Sequence, residues 1–493
     1  MEQLGGLDGA FLYAETPTMH LHVCGLLLLD PSTMPGGYSF ERIRAMVSER
    51  LPRLAPARQK LATVPLHISR PFWADDPDLD IDRHLHRTSV PAPGDDRALA
   101  EVVGEIASHP LARDRPLWEL WVVEGLRDGR VAVVAKMHHS TIDGVTGANL
   151  MGSLFDLEPE PRASSAEEVP PPRPARPGRG VLRSVELFGR GVASRLAQPW
   201  EIVRLVPTTV FRLGSIVWSV GRRPEGEPRA AAPFTAPRTS FNATITARRS
   251  VAFTDVALAD VKRVKDAFGV TVNDVVTAVV GGALRRYLED RGELPARSLI
   301  AATPVSVHQA TGAPAGTTRL SIMFSTLATD VGDPAERLAA VAASNARAKE
   351  LNKMVGADTL MRWAQLFWPN TFALGARLYS NLHLADHHPV VHNLILSNVP
   401  GPPVPLYFAG ARLVGLFPLG PIAEGAGLNV TVISEEDRVD FGIITCPELV
   451  PCVWDIAAAI PVALGELLAE AASSGALSPP QGATPAPPRP PDA

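Results

Sequence analysis

The sequence predicts a mixed α/β protein in which two domains are joined by a proline-rich and helical linker. The chain has 493 residues, which is more than a single hydrophobic core usually serves. Strand-like apolar runs alternate with helical patterns in both halves of the chain. Two polar, proline-rich stretches lie between the halves, and such stretches form neither packed helices nor central strands.

The first domain is predicted to span residues 1–157. Residues 22–29 and 130–136 are continuous apolar runs typical of buried strands, and helical patterns lie between them. After the second run, Asp143 and Gly144 are predicted to open a helix that continues through Phe155. The histidines at positions 138 and 139 would therefore lie between the end of the second strand and this helix.

The linker is predicted to span residues 158–240. Residues 158–180 are rich in Pro, Arg, Glu and Ser, and residues 224–240 form a second polar, proline-rich stretch. Between them, residues 181–223 carry apolar side chains at helical spacing, broken at Pro199 and Pro207. This pattern predicts two amphipathic helices inside the linker.

The second domain is predicted to span residues 241–472. Residues 255–268 and 275–288 carry helical patterns, the second one long and apolar. Residues 428–433 and 439–444 alternate as the two strands of a hairpin. The tail, residues 473–493, consists mainly of Pro, Ala, Gly and Ser and is predicted to be disordered.

Composition excludes several classes of protein. The net charge of -5 argues against a nucleic-acid binder, whose binding face would be basic. Cys24, Cys446 and Cys452 are too few and too scattered for a disulfide framework or a metal knuckle, so a reducing cytoplasm fits best. The N-terminus lacks the pattern of a secretion signal, and no uncharged apolar run reaches the roughly 18 residues of a spanning helix. The protein is expected to lie in the cytoplasm or peripherally on a lipid surface.

The strongest chemical signal is the run from His138 to Gly144, His-His-Ser-Thr-Ile-Asp-Gly. Neighbouring strand residues point to opposite faces, so His138 and His139 are not expected to serve the same surface. A histidine at a strand end can keep one ring nitrogen in a hydrogen bond while the other acts as a general base on an alcohol. The alternative is a buried, hydrogen-bonded histidine pair with no chemical role.

With these residues, the chain resembles the bacterial wax ester synthases/diacylglycerol acyltransferases of the coenzyme A-dependent acyltransferase superfamily, whose mark is His-x-x-x-Asp-Gly. The resemblance covers nearly the whole chain. Five further blocks carry it: residues 7–12 with His22 and Val23, 115–119 with 124–126, 272–275, 304–307, and 398–402 with 405–407. The chain departs from the family at His308 and at residues 317–319, where a family Arg and a Gly-Asn-Arg run are expected.

The resemblance implies roles for individual residues. It makes His139 the general base and His138 an auxiliary. It gives Asp143 a structural role in shaping the loop, and Gly144 permits the tight passage from strand to helix. Asn273 and Asp274 match the family's Asn-Asp motif, and Asn273 is either a polar contact in the channel, such as an oxyanion donor, or a helix cap.

The resemblance also implies the fold and the reaction. Two chloramphenicol-acetyltransferase-like domains would enclose a channel with His139 near its middle, and the substrates would be acyl-CoA and a lipid alcohol, with no cofactor or metal. Diacylglycerol giving triacylglycerol is the first choice of acceptor, and a long-chain alcohol giving a wax ester is the second. A condensation-type acyltransferase with another acceptor and a noncatalytic lipid-binding protein are the rival classes.

Three other features need an interpretation. Residues 181–223 hold seven arginines against two acids, which favours contact with a membrane or lipid droplet surface, although a plain connector between the domains would show the same periodicity. Trp118 and Trp121 are expected in the core or lining a pocket. His387 and His388 lack a spaced third ligand, so a metal site there is not expected.

Overall fold

The computed structural model of the chain describes residues 2–64, 70–141, 152–160, 231–306, 320–355 and 369–473. The predicted amphipathic helices at 181–223, nearly all of the predicted tail, and His308 with residues 317–319 lie outside these residues. Asp143 and Gly144 do as well.

The first large sheet has seven strands in the order β5-β6-β7-β2-β14-β13-β8. Its strands are β2 (His22–Asp30), β5 (Leu85–Ser89), β6 (Trp118–Glu124), β7 (Val131–His138), β8 (Phe155–Asp156), β13 (Tyr407–Phe408) and β14 (Ala411–Leu419). β7 lies inside the sheet, antiparallel to β6 on one side and to β2 on the other. The strand that ends in His138 is therefore held along both edges.

The second large sheet has six strands in the order β11-β10-β12-β15-β16-β9. They are β9 (Ser250–Ala257), β10 (Ile300–Ser306), β11 (Leu320–Thr326), β12 (Leu394–Pro400), β15 (Leu428–Glu435) and β16 (Arg438–Thr445). A third, small sheet in the order β1-β4-β3 joins β1 (Glu2–Gln3), β4 (Phe72–Asp75) and β3 (Gln59–Ala62). The predicted mixed α/β class is confirmed.

Nine α-helices cover these sheets within the described residues. They are α1 (Gly6–Ala14), α2 (Phe40–Arg50), α3 (Ala55–Arg58), α4 (Asp96–Ser108), α5 (Leu258–Phe268), α6 (Val272–Glu289), α7 (Pro334–Val355), α8 (Pro369–Asn381) and α9 (Val453–Ser473). α6 packs against α9 and α7 at the centre of the second half. Since nearly every residue of α6 from Asp274 to Leu288 is buried, it is the core helix of that half.

The second half of the chain contributes two strands to the first sheet. β13 and β14 come from the part of the sequence assigned to the second domain, residues 241–472, yet β14 pairs along its length with β2 of the first sheet. A bulge between Leu413 and Gly415 shifts the register, so that Leu413 and Leu416 both face one core while Phe417 faces the other. Pairing partners so distant in sequence leave no local signal, which is why the pattern of residues 411–419 did not indicate this sheet.

The first sheet has a hydrophobic core on each face. Val131, Val133 and Met137 of β7 pack with α2 on one face, whereas Ala132 and Val134 pack with α4 on the other. The core on the α4 face also contains residues of β9 and β16 from the second sheet, so this core joins the two halves of the molecule. Successive residues of β7 therefore face opposite sides of the sheet.

Most of the predicted local elements are confirmed. Residues 22–29 and 131–136 lie in β2 and β7, residues 275–288 lie in α6, and the hairpin of β15 and β16 forms as expected. Trp118 is a core residue, whose indole Nε1 donates to the carbonyl of Ala57 at 2.8 Å.

Two element predictions are wrong. Residues 255–257 belong to strand β9, because they pair with β16, and the helix begins only at Leu258. Phe155 does not continue a helix but pairs with Phe408 as part of strand β8. In both cases a long-range pairing overrides the local helical pattern.

α9 is long and apolar enough to span a membrane by length and composition alone, and so is the bent pair of α5 and α6. In this structure, however, α9 buries Ile456, Ile460 and Leu464 against α6 and its neighbours. The core helix of a globular protein has the same composition, so the packing accounts for the hydropathy of α9.

Candidate active site

The two motif histidines stand where β7 ends. His138 is the last residue of β7, directly opposite His22 on β2. His139 begins the short 3-10 helix His139–Thr141, and its backbone N–H donates to the carbonyl of Leu21 at 2.8 Å. The main chain at this point is hydrogen-bonded to the neighbouring strand, so the backbone that carries both imidazoles is rigid.

His138 is enclosed by protein groups. Its Nδ1 accepts from the backbone N–H of Ser140 at 3.1 Å and lies 2.7 Å from the Ser140 hydroxyl oxygen. Nδ1 is therefore unprotonated, and the proton of the neutral ring belongs on Nε2, which lies 3.8 Å from Oε2 of Glu15. Burial lowers the pKa of His138 to about 3, and the Arg113 charge acts in the same direction.

His139 has a different environment. Its ring stacks on Phe11 of α1, with ring centroids 4.3 Å apart and an angle of 28° between the planes. The side chain is only half-buried by accessible surface, unlike that of His138. Burial still lowers the pKa of His139 below its ordinary value, and a hydrogen bond to its own backbone acts in the opposite direction. The His139 imidazole is thus neutral near pH 7, and the residue is not fully enclosed.

The residues that follow tighten the turn. Thr141 donates its hydroxyl to the carbonyl of His138 at 2.7 Å, and Ser140 and Thr141 are both buried. The roles assigned to Asp143 and Gly144 remain predictions, because residues 142–151 lie outside the described part of the chain.

Sequence reasoning did not identify Glu15 and Arg113 as part of this site. Glu15 directly follows α1, and its largely buried carboxylate forms an ion pair with Arg113. Arg113 also donates to the carbonyl of Leu12 at 3.0 Å. A lone Glu and a lone Arg separated by 98 residues form no motif, so only the fold could bring them to His138.

The Asn-Asp motif lies at the start of α6. Thr271 is the N-cap, and Asp274 completes a capping box by accepting from the Thr271 backbone N–H at 2.9 Å. Asp274 also accepts from the side-chain amide of Asn345 at 2.8 Å, and it is buried. Asp274 is therefore a structural residue, and the capping role considered for Asn273 is wrong, since Thr271 and Asp274 fill it.

Asn273 instead contacts another block of the family pattern. The Nδ2 of Asn398, in β12, donates to Oδ1 of Asn273 at 3.3 Å. This contact leaves the Nδ2 protons of Asn273 available to a ligand. Two sequence blocks 125 residues apart thus meet through a pair of amides.

A cavity of about 450 Å³ lies beside α8, lined by Phe372, Ala376 and Tyr379 of that helix and by Met19 and Glu424. α8 packs against α1, the helix that carries Phe11. The lining of the cavity is mainly apolar, which suits the binding of a hydrocarbon chain.

His388, which the sequence singled out with His387, bonds the Tyr379 hydroxyl and the carbonyl of Pro389. Within the described ranges, no three His, Cys, Asp or Glu side chains are grouped so that they could hold a metal ion.

Two family models match the chain. The wax ester synthase/diacylglycerol acyltransferase catalytic domain matches residues 4–276, and the WS/DGAT C-terminal domain matches residues 317–468. Two relatives from Mycobacterium tuberculosis (strain ATCC 25618 / H37Rv) are each named as a diacylglycerol O-acyltransferase. One is 44% identical over 95% of this chain and 90% of its own, and the other is 36% identical over 93% and 97%.

Solved structures agree with these matches. The wax ester synthase/diacylglycerol acyltransferase from Marinobacter aquaeolei VT8 is similar with a TM-score of 0.67 and 27% identity, over 96% of this chain and all of that chain. The first condensation domain of the calcium-dependent antibiotic synthetase has a TM-score of 0.54 at 15% identity, over 96% and 97% of the two chains. The second likeness shows a shared fold alone.

Proposed function

Since the chain belongs to the wax ester synthase/diacylglycerol acyltransferase family of O-acyltransferases, we propose that it transfers a long-chain acyl group from acyl-CoA to diacylglycerol. The product would be triacylglycerol. The observation that carries this proposal is His139, a neutral and only half-buried histidine that directly follows β7 and stacks on Phe11.

His139 would act as the general base. This role requires the ring proton on Nδ1, so that the lone pair of Nε2 is free. Nε2 would take the proton of the acceptor hydroxyl while the hydroxyl oxygen attacks the thioester carbonyl. The tetrahedral oxyanion then collapses, the carbon–sulfur bond breaks, and the imidazolium returns the proton to the thiolate of coenzyme A. The step needs no covalent acyl-enzyme and no bound cofactor.

His138 would not be the base. Its Nδ1 already accepts from Ser140, and its Nε2 faces the Glu15 carboxylate in a buried setting. Its low pKa keeps the ring neutral, so it adds no charge beside the reacting base. Its role would be to hold the end of β7 in shape.

Asn273 is the proposed donor to the oxyanion. Its Oδ1 accepts from Asn398, which orients the amide and leaves its Nδ2 with two protons for a developing negative charge. Asp274 would hold the start of α6 that carries Asn273, through the capping box and Asn345.

The names of the relatives favour diacylglycerol as the acceptor. The apolar cavity under α8 supports an acceptor with hydrocarbon chains, which diacylglycerol and a long-chain alcohol both have. Wax ester synthesis therefore remains the second candidate. A condensation-type reaction has only the shared fold in its favour.

We also propose that the enzyme is cytoplasmic and works at the surface of a membrane or lipid droplet, where such acceptors are found. Residues 181–223, predicted for this contact, lie outside the described residues. In the described part, α8 exposes Leu374 and Leu378, and Leu382 directly follows its last residue. The three side chains are 57%, 46% and 59% accessible. Their spacing of four residues places them on one face, while Phe372 and Ala376 line the cavity behind them. One helix would thus contact lipid on its outer side and border the cavity on its inner side.

The test is an assay of purified protein with palmitoyl-CoA and three acceptors in parallel: diacylglycerol, hexadecanol and an aminoacyl carrier protein. Diacylglycerol should give the highest kcat/KM. A preference for hexadecanol would move the assignment to wax ester synthesis, and turnover of the carrier protein alone would overturn both lipid assignments. His139→Ala protein serves as the blank for uncatalysed thiol release.

A further inference from the structure

Helix α1 contacts both motif histidines. Phe11 stacks on the ring of His139, and Glu15, just after the helix, faces Nε2 of His138 at 3.8 Å. The sequence block from residue 7 to residue 12 resembles the family's opening, but the proposed reaction gives it no task. The contacts point to one.

α1 is fixed at both ends. Arg113 donates to the carbonyl of Leu12 and pairs with Glu15, which fastens the C-terminal end. At the N-terminal end, Arg70 donates to the carbonyl of Leu4 at 2.9 Å. Leu12 is buried in a small core with Leu4, next to Phe11. Phe11 is therefore presented to His139 by a rigid element.

An imidazole side chain turns easily about its last torsion, because that torsion has a broad minimum. The His139 ring lies almost parallel to the Phe11 ring, at an angle of 28°, so rotation out of this plane would break the stacking. The aromatic face also excludes water from one side of the base. When the ring takes up a proton during the reaction, the π-electrons of Phe11 stabilise the positive charge.

We propose that Phe11 is a positioning residue for acyl transfer, holding the plane of the His139 imidazole so that its free nitrogen points at the acceptor hydroxyl. This inference rests on the proposed role of His139 as general base. In this proposal Phe11 of α1 aligns the ring of His139, and the ion pair of Glu15 and Arg113 holds α1 in place.

Among the residues that the structure describes, a small set of charged or titratable groups lies near this base. His138 precedes it on the chain, Glu15 and Arg113 face His138 from α1 and from the segment before β6, and His22 stands opposite His138 on β2. Asp8 and Tyr13 belong to α1 itself. Since all of them remain in a Phe11 variant, any change in the pH profile of such a variant reports on the ring contact.

The experiment compares Phe11→Leu, Phe11→Tyr and Phe11→Ala in the full-length enzyme. Phe11→Leu keeps apolar bulk but loses the flat ring, so kcat should fall by about tenfold to a hundredfold with KM for acyl-CoA nearly unchanged. Phe11→Tyr keeps the ring and should retain most of kcat. Phe11→Ala admits water, so the pKa of His139 should rise towards its ordinary value and the acidic limb of kcat should move to higher pH.

Phe40→Leu is the matched control. Phe40 is also half-buried, but its ring lies against the Arg87 guanidinium at the start of α2, so this change should leave kcat unaltered. A Phe11→Leu enzyme with wild-type kcat and pH limb overturns the proposal, as does a loss in Phe11→Tyr as large as that in Phe11→Leu. Full activity of His139→Ala would instead remove the general base itself, so the two failures are distinguishable.

Discussion

The Nε2 atom of His138 lies 3.8 Å from the Oε2 atom of Glu15, whereas the ring of the adjacent His139 stacks on the ring of Phe11. Neighbouring residues with the same side chain therefore have different surroundings. One is enclosed by polar protein groups and the other is left half-accessible.

This difference predicts unequal effects of two alanine substitutions. His139→Ala should abolish acyl transfer while the protein stays folded, because the general base is removed. His138→Ala should lose less activity and more stability, since it leaves Ser140 and Glu15 without the ring that they enclose. Thiol release from acyl-CoA and thermal melting measure the two effects. Turnover by His139→Ala equal to wild type would falsify the mechanism.

The pH dependence of kcat/KM should show an acidic limb below about 6.5, the ordinary pKa of histidine. Burial lowers the pKa of His139, so the neutral base persists as the pH falls and is lost only when the pH passes through the lowered value. Initial rates from about pH 5 to about pH 8 test this. A limb centred at or above the ordinary value would contradict a desolvated base.

Acid unfolding must be separated from this limb. The pKa values of His138 and His20 are lowered by burial to about 3 and about 4, so between these values and about 6.5 the unfolded chain binds protons that the folded chain does not. The free energy of unfolding therefore decreases as the pH falls through this window. Near-ultraviolet circular dichroism at each pH identifies the range in which the enzyme is folded.

Asp274 and Asn273 should respond differently to substitution. Asp274→Ala removes the capping box and leaves the buried amide of Asn345 without its acceptor, so the free energy of unfolding should fall by roughly 2 kcal/mol or more. Asn273→Ala should lower kcat with little change in stability. Urea unfolding and steady-state kinetics of both variants test this. If Asn273→Ala keeps the wild-type kcat, its proposed contact with the oxyanion is wrong.

The exposed leucines of α8 should matter for lipid binding. Replacing Leu374, Leu378 and Leu382 by Ser should weaken flotation with diacylglycerol-containing vesicles by at least about tenfold, because burying each leucine contributes about 1.5 to 3 kcal/mol. Val462→Ser in α9, at a site 45% accessible, is the control for a general loss of apolar surface. Equal binding by the triple variant and the control would show that this face does not contact lipid.

The linker arginines offer a separate test of lipid binding. Replacing Arg183, Arg190, Arg204 and Arg212 by Gln should weaken binding to anionic vesicles, and the difference from wild type should shrink as salt is raised. If binding is unchanged across a range of salt, residues 181–223 serve as a connector between the domains.

Much of the fold followed from local pattern. The apolar run of β7, the buried helix α6 and the hairpin of β15 and β16 each depend on neighbours within a few residues, so periodicity predicts them. The local pattern wrongly predicts helix at the end of β9 and at Phe155 of β8, because the partners of these strands lie far away in sequence.

The sequence by itself determined the mixed α/β class, the tandem histidines at a strand end and the family motifs, from which His139 is proposed as the base. Only the tertiary structure decided that β14 joins the first sheet, that Glu15 and Arg113 enclose His138, and that Phe11 stacks on His139. The reason is physical. A hydrophobic period describes which face of an element is buried, but which distant element covers that face depends on how all the elements pack together.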